Sequence, residues 1–201
     1  MDVGVIGVGS MGRNHVRVYT ELKDVGDVYL YDVDGDAARR MSEQYGEGVL
    51  VSDSITSLLD TVGLVSICAP TKYHFELAQQ AVSMGIHCLI EKPICSTSEE
   101  AARLLQAIQD HVVVGVGHIE RFNPIVKEIK QLINRPRYIE IKRLNPASTR
   151  ITDADVVTDL MIHDIDLVWN YFMDGRSYHL DSVWDEDLCT AIARSPYRRA
   201  G

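Results

Sequence analysis

The sequence predicts an α/β protein, with a doubly wound parallel sheet in a first domain and a second, α+β domain after it. Three observations predict this. Short valine-rich and isoleucine-rich runs alternate with helical patterns up to residue 116, the mark of βαβ units. Those runs are apolar throughout rather than alternating, as strands covered on both faces must be. Beyond Gly117 strand-like stretches follow one another directly, which a βαβ array does not do.

The first strand, Val3 to Ile6, leads into Gly7-Val8-Gly9-Ser10-Met11-Gly12 and a helix over Met11 to Leu22. Gly7 permits the tight turn, Gly9 removes the Cβ that would keep a pyrophosphate from the backbone, and Gly12 lets the helix lie close on the strand. The helix N-terminus, with its unpaired N–H groups, then faces the anion, and Ser10 and Met11 join the cofactor-binding set. A second strand, Asp27 to Tyr31, ends in Asp32, twenty residues after Gly12. A carboxylate there accepts hydrogen bonds from the adenosine ribose hydroxyls and repels a 2′-phosphate, which favours NAD over NADP. An Asp that merely opens the turn D-V-D-G is the plainer alternative.

A helix over Asp36 to Tyr45 follows, then a strand at Val49 to Val51, a helix at Ile55 to Asp60, and a strand at Leu64 to Cys68. A helix over Phe75 to Met84 leads to a strand at His87 to Ile90. The helix over Ser98 to Gln109 opens on the capping box Thr97-Ser98-Glu99-Glu100, and Val112 to Val116 is the sixth strand. The domain boundary falls between residues 117 and 118. Asn123-Pro124 then caps a helix to Ile133, Arg137 to Leu144 alternates like a strand with one wet face, and an amphipathic helix covers Val156 to Phe172. Tyr178 to Val183 and Asp187 to Arg194 are strand-like.

Bulk properties narrow the function. Of 201 residues 46% are hydrophobic, enough for a real core, and the net charge of −9 with dispersed Lys and Arg offers no footprint for nucleic acid or an anionic membrane. The start M-D-V-G-V-I-G reads as a strand rather than a signal peptide. Cys68, Cys88, Cys95 and Cys189 show no CxxC spacing and suit reduced core thiols of a cytoplasmic protein, and no metal site is expected.

Ligands of doubly wound sheets bind outside the carboxyl ends of the strands. After the fourth strand come Ala69, Thr71 and His74, with Thr71 on the expected nicotinamide side. After the fifth come Glu91, Lys92 and Pro93, and after the sixth His118, Arg121 and Asn123. Pro93 biases Lys92 away from helical angles, so its ammonium projects from a strand end, where it can bond a substrate hydroxyl. A surface lysine paired with Glu91 is the bland alternative. Arg121 suits a bidentate phosphate grip, or together with Asn123 merely anchors the interdomain connection. On the long helix Asp159 and His163 are four apart and Asp166 three further, a spacing that suits a carboxylate-oriented general base, although an exposed D/H/D stripe or a cap-and-solubility pattern is the plainer reading of the spacing alone.

Four segments, G-V-G-S-M-G, A-P-T-K-Y-H, E-K-P and D-L-M-I-H-D-I-D, resemble those of the Gfo/Idh/MocA oxidoreductases, and the likeness covers nearly the whole chain. The resemblance implies a Rossmann domain followed by a domain with a large, mostly antiparallel sheet that often builds homo-oligomers. It implies NAD-dependent oxidation of a sugar carbinol, with Lys92 and His163 flanking the reacting carbon and Asp159 assisting. Gly7, Gly9, Ser10, Met11, Gly12, Asp32, Ala69, Thr71, His74, Glu91 and Lys92 would hold the cofactor. Lys92, His118, Arg121, Asn123 and His163 would meet the substrate. G-H-I-E-R-F-N-P at Gly117 to Pro124 is similar to the branch acting on the 3-hydroxyl of UDP-N-acetylhexosamines; an inositol or free-sugar dehydrogenase is the alternative. Family members are longer, and Ser195 to Gly201 resembles nothing in them, which leads us to expect an incomplete second domain from a truncated or frameshifted reading frame, with an unpaired strand edge. A catalytically silent dinucleotide-binding or regulatory module is therefore the rival from another class.

Overall fold

In a computed structural model that describes residues 1–133, 139–142, 157–172, 179–185 and 188–194, the chain divides into two compact units, Met1–Gly117 and His118–Gly201. The first unit is built on six parallel strands: β1 (Val3–Ile6), β2 (Val28–Tyr31), β3 (Val49–Val51), β4 (Leu64–Ile67), β5 (His87–Ile90) and β6 (Val114–Val116). Their spatial order is β3-β2-β1-β4-β5-β6. The order reverses between β1 and β4, whose register pairs Val3 with Leu64 and Ile6 with Ile67. A crevice opens at such a reversal, at the carboxyl ends of the strands.

The helices α1 (Ser10–Glu21), α2 (Gly35–Tyr45), α3 (Ile55–Thr61), α4 (His74–Ser83) and α5 (Ser98–Ala107) connect the strands. Alternate residues of β1 feed two separate cores, as period-two geometry requires. Val3 and Val5 pack with Val16 of α1 and with Ala38 and Met41 of α2. Ile6 packs with Leu58 of α3, Ala78 of α4 and Leu104 of α5. Burying a side chain such as Leu58 or Leu104 contributes about 2 kcal/mol. Local signals fix the helix starts: Asp34 accepts from the N–H groups of Asp36 and Ala37, and both Ser54–Ser57 and Thr97–Glu100 form capping boxes. Helix α5 stops two residues before the expected Gln109, because Ile108 turns to extended angles and the Gln109 amide donates to Val82 O.

In the second unit a 3₁₀ turn over Ile119–Phe122 precedes α6 (Pro124–Leu132). The helix expected over 156–172 is present as α7 (Ile162–Leu167) flanked by π-type turns at Val157–Met161 and Val168–Phe172. β7 (His179–Asp185) and β8 (Leu188–Arg194) pair antiparallel, from His179 opposite Arg194 to Asp185 opposite Leu188. Of the strand expected over Arg137 to Leu144 only residues 139–142 are described, and they form no regular element. The tail from Ser195 to Gly201 lies outside the described residues. Among the described residues no helix is long and apolar enough to cross a membrane.

Candidate functional site

Steric facts build the turn after β1. Gly7 adopts φ +89°, and a Cβ there would come within 2.8 Å of Ala69 N and the Cys68 carbonyl. A Cβ at Gly12 would lie 1.9 Å from Gly7 O, so the helix start presses directly on the strand end. Gly9 differs: a Cβ there would meet nothing within 4 Å. The open space beside Gly9 is bounded by the N-terminus of α1, which has no side-chain cap and no acidic residue in its first turn. Backbone N–H groups beside open space, at the positive end of a helix dipole, fit the pyrophosphate of a dinucleotide.

Asp32 stands at the end of β2 beside this cradle. Its carboxylate accepts from Val8 N (2.7 Å) and from Asp34 N (2.9 Å), which fixes its orientation against the turn. Ser10 and Met11 are exposed at the helix start, and Thr71 opens a 3₁₀ turn, Thr71–Tyr73, just beyond Ala69.

Two residues expected among the cofactor contacts are turned inward. His74 is 1% exposed; its Nδ1 lies 2.8 Å from Pro93 O and its Nε2 2.7 Å from Ala69 O. With both ring nitrogens on backbone carbonyls, it ties loops together and offers no free edge to a ligand. Glu91 is buried as well, with Oε1 accepting from His15 Nε2 at 3.0 Å and Oε2 accepting from its neighbour Lys92 N at 3.3 Å. His15 continues the chain through Ser66 Oγ (2.9 Å) to Tyr19 OH (2.7 Å). The sequence reading missed His15, Ser66 and Tyr19, although His15 and Tyr19, four apart on α1, share one face. Burial pushes the Cys68 thiol far up, and the nearby Glu91 charge adds to it; burial raises Cys88 to about 12 and Cys95 to about 11, in Cys95 with help from Glu100. All three are free thiols.

In the second unit the polar residues gather around Asp166. Arg121 donates to it through Nε (2.7 Å) and Nη2, Asn170 donates through Nδ2 at 2.9 Å, and His118 Nε2 lies 4.0 Å away. Burial alone would raise the Asp166 carboxyl, but the Arg121 and Asn170 bonds and the charges of His118 and Arg121 together hold it below the ordinary aspartate value. Arg121 therefore spends two of its donors inside the protein, which narrows the expected phosphate grip to what remains of its guanidinium. Asn123 caps α6, accepting from Ile125 N at 3.0 Å and donating to Glu120 at 3.1 Å.

The rings of His118 and His163 meet edge to face, centroids 6.4 Å apart at 88°. Asp159 lies in the π-type turn and His163 in α7. Beside them a cleft of about 200 Å³ is lined by His118, Ile162, Ile165, Asp166, Trp169 and Asn170. The spacing drew attention to Asp166 as a neighbour of His163; its partner Arg121, 45 residues away, carried no local signal, whereas Asn170 stands at i+4 on the same face.

A six-stranded parallel sheet, a glycine cradle at its reversal point and a carboxylate at the end of β2 define a dinucleotide-binding Rossmann domain. The chain belongs to the Gfo/Idh/MocA family: residues 1–120 match the family model described as "Oxidoreductase family, NAD-binding Rossmann fold". It is 41% identical over 199 residues to UDP-N-acetylglucosamine 3-dehydrogenase of Acidithiobacillus ferrooxidans, covering 95% of this chain and 62% of that protein. It is 28% identical over 219 residues to myo-inositol 2-dehydrogenase of Thermotoga maritima, covering 96% and 65%. A solved structure of the A. ferrooxidans enzyme superposes with a TM-score of 0.86 at 35% identity, covering 98% of this chain and 66% of that one. Levoglucosan dehydrogenase in complex with NADH and levoglucosan shares the fold, with a TM-score of 0.76 at 22% identity over 93% and 57%. The chain thus spans about three-fifths of the length of the curated relatives it matches.

Proposed function

We propose that the chain carries the cofactor-binding and reacting groups of an NAD-dependent dehydrogenase that oxidises the 3-hydroxyl of a UDP-N-acetylhexosamine. The observation that carries this reading is the 41% identity to a UDP-N-acetylglucosamine 3-dehydrogenase, which runs through both units rather than the dinucleotide domain alone. NAD, when bound, supplies the carbon that accepts a hydride. The glycine cradle takes its pyrophosphate, and Asp32 takes the ribose hydroxyls and disfavours a 2′-phosphate. Lys92 donates from its ammonium to the substrate oxygen and stabilises the negative charge that grows there. His163, oriented by Asp159, accepts the hydroxyl proton. The carbinol C–H bond breaks as its electron pair leaves with the hydride, and the carbon–oxygen double bond forms. Donors and bases of this kind each supply about 100-fold or more in rate. His118 and Arg121 line the sugar or phosphate side, and Asn123 holds the loop that carries them.

The same reading gives the whole protein a mostly antiparallel second sheet, through which copies associate, and a place in a reducing, cytoplasmic compartment, supported by the free thiols. A silent dinucleotide-binding module is the second reading. Incubating the purified chain with NAD and a panel of UDP-sugars and inositols, and following the absorbance of reduced cofactor, separates the possibilities. Reduction with UDP-N-acetylglucosamine is expected. Reduction with myo-inositol alone would replace the substrate, and NAD binding without reduction by any member would favour the silent module. A preference for NADP over NAD in kcat/KM would remove Asp32 from its role.

A further inference from the structure

We propose that two buried histidines, His74 and His15, clamp the strand end that carries Lys92, one from each side, and so act as positioning residues for its amine. The inference rests on the reading of Lys92 as the group that meets the substrate oxygen. Lys92 sits between Glu91 and Pro93, and each of these neighbours is tied to a different histidine.

On one side, the ladder between β4 and β5 ends at Ile67 and Ile90, with Glu91 N donating to Ile67 O at 3.0 Å. Beyond that point the two strand ends diverge into loops, and the His74 ring bridges them, lying 2.7 Å from Ala69 O and 2.8 Å from Pro93 O. Proline has no N–H, so its carbonyl is the one backbone group by which this residue can be bonded in place. Because Ala69 also leads into the turn that carries Thr71, one side chain fixes the spacing between the Thr71 turn and the Lys92 peptide.

On the other side, the Glu91 carboxylate takes Lys92 N–H on Oε2 and His15 on Oε1, and packs over Gly117, where a Cβ would approach it to 2.9 Å. With the His15 ring as the tautomer that carries its hydrogen on Nε2 and donates it to Glu91, the donors run in one direction: Ser66 donates to His15 Nδ1 and Tyr19 OH donates to Ser66 Oγ. Ser66 is fully buried and Glu91 is 7% exposed. A buried network with every member satisfied is rigid, and its members are costly to separate. His15 lies one turn after Gly12 on α1. The helix whose N-terminus faces the cofactor phosphates therefore also holds the backbone of Lys92, which puts both groups in a single frame.

Satisfied core histidines with no further consequence would show the same bonds, so the test must read the Lys92 segment itself. Hydrogen exchange of residues 89–95, NAD affinity and steady-state kinetics are measured on the whole chain for wild type, H74A, H74Q, H15Q and H87Q. His87 serves as the control: it stands at the far end of β5, where its Nδ1 accepts from Val113 N. H74A is expected to raise exchange at 91–95 and to lower kcat by about tenfold to a hundredfold, because small misplacements of a reacting group are that costly. NAD affinity is expected to stay within about threefold, since that split marks lost transition-state alignment rather than lost binding. H74Q, which keeps an N–H donor on a side chain of similar reach, restores part of both, H15Q reproduces the defect, and H87Q changes neither. Should H74A not fold, H15Q against H87Q carries the same comparison. Unchanged exchange and kcat in folded H74A or H15Q would overturn the clamp, as would equal losses in H87Q. If wild type fails to oxidise UDP-N-acetylglucosamine while exchange at 91–95 still responds to H74A and H15Q but not to H87Q, the clamp stands and the assignment of activity falls.

Discussion

The strand ends of the first unit and the 3₁₀ turn and α7 segment of the second hold polar groups by opposite means. In the first, backbone does the shaping: Gly7, Gly9 and Gly12 leave a hollow whose walls are main-chain atoms, and Asp32 is oriented by two N–H groups. In the second, side chains hold one another, with Arg121 and Asn170 converging on Asp166 beside His118. A backbone hollow tolerates almost no change of residue where atoms press together and any change where space is open. A side-chain cluster depends instead on charge balance and hence on pH.

The sharpest break of this comparison lies within the glycines. Gly12→Ala places a Cβ 1.9 Å from Gly7 O, and we expect a loss of about 3 kcal/mol in urea unfolding together with loss of NAD binding. Gly9→Ala meets no protein atom within 4 Å, so stability should stay within about 0.5 kcal/mol while NAD affinity falls, because the new methyl occupies the space of the pyrophosphate. Calorimetric titration and unfolding of both variants check the pair. Equal stability losses would remove the distinction between a packed and an open glycine.

Arg121→Ala sharpens the other half. It leaves Asp166, 8% exposed, without its bidentate partner, and a loss of about 2 kcal/mol is expected at neutral pH. The folded-state value of the Asp166 carboxyl is held below the ordinary 3.8, so its contribution is complete above 3.8 and disappears as pH falls through the lower folded value. Wild type and R121A unfolding curves should therefore converge in acid. A constant gap from neutral pH down to strong acid would contradict the ion-pair account.

The smallest effect concerns the thiols. With Cys88 raised to about 12 and Cys95 to about 11 by burial, and Cys68 raised further still, all three stay protonated at neutral pH, and alkylation of these thiols in the native chain should be slow and accelerate on unfolding. Peptide mapping after brief alkylation checks this, and rapid native labelling of Cys95 would contradict it.

The same contrast explains what could be read from the sequence. The glycine turn, the Asp32 spacing and the capping box at Thr97 are local patterns whose geometry follows from a few consecutive residues, and each appears where the spacing put it. His74 and Glu91 were legible as residues at strand ends but not in the direction they face, because a neighbouring loop decides whether a side chain points to ligand or to carbonyl. The Arg121–Asp166 pair joins residues 45 apart and left no periodic trace. Asn123 was legible as a helix cap from Asn-Pro alone, and its contacts are those of a cap.

In the proposed reaction the backbone hollow holds the cofactor while the Lys92 amine carries the chemistry. A single-turnover reduction of bound NAD by UDP-N-acetylglucosamine, measured in wild type and Lys92→Ala with NAD affinity determined on the same samples, tests it directly. The account predicts a rate lowered by about 100-fold or more at an affinity within about threefold of wild type. An undiminished rate, or affinity and rate falling together, would contradict it.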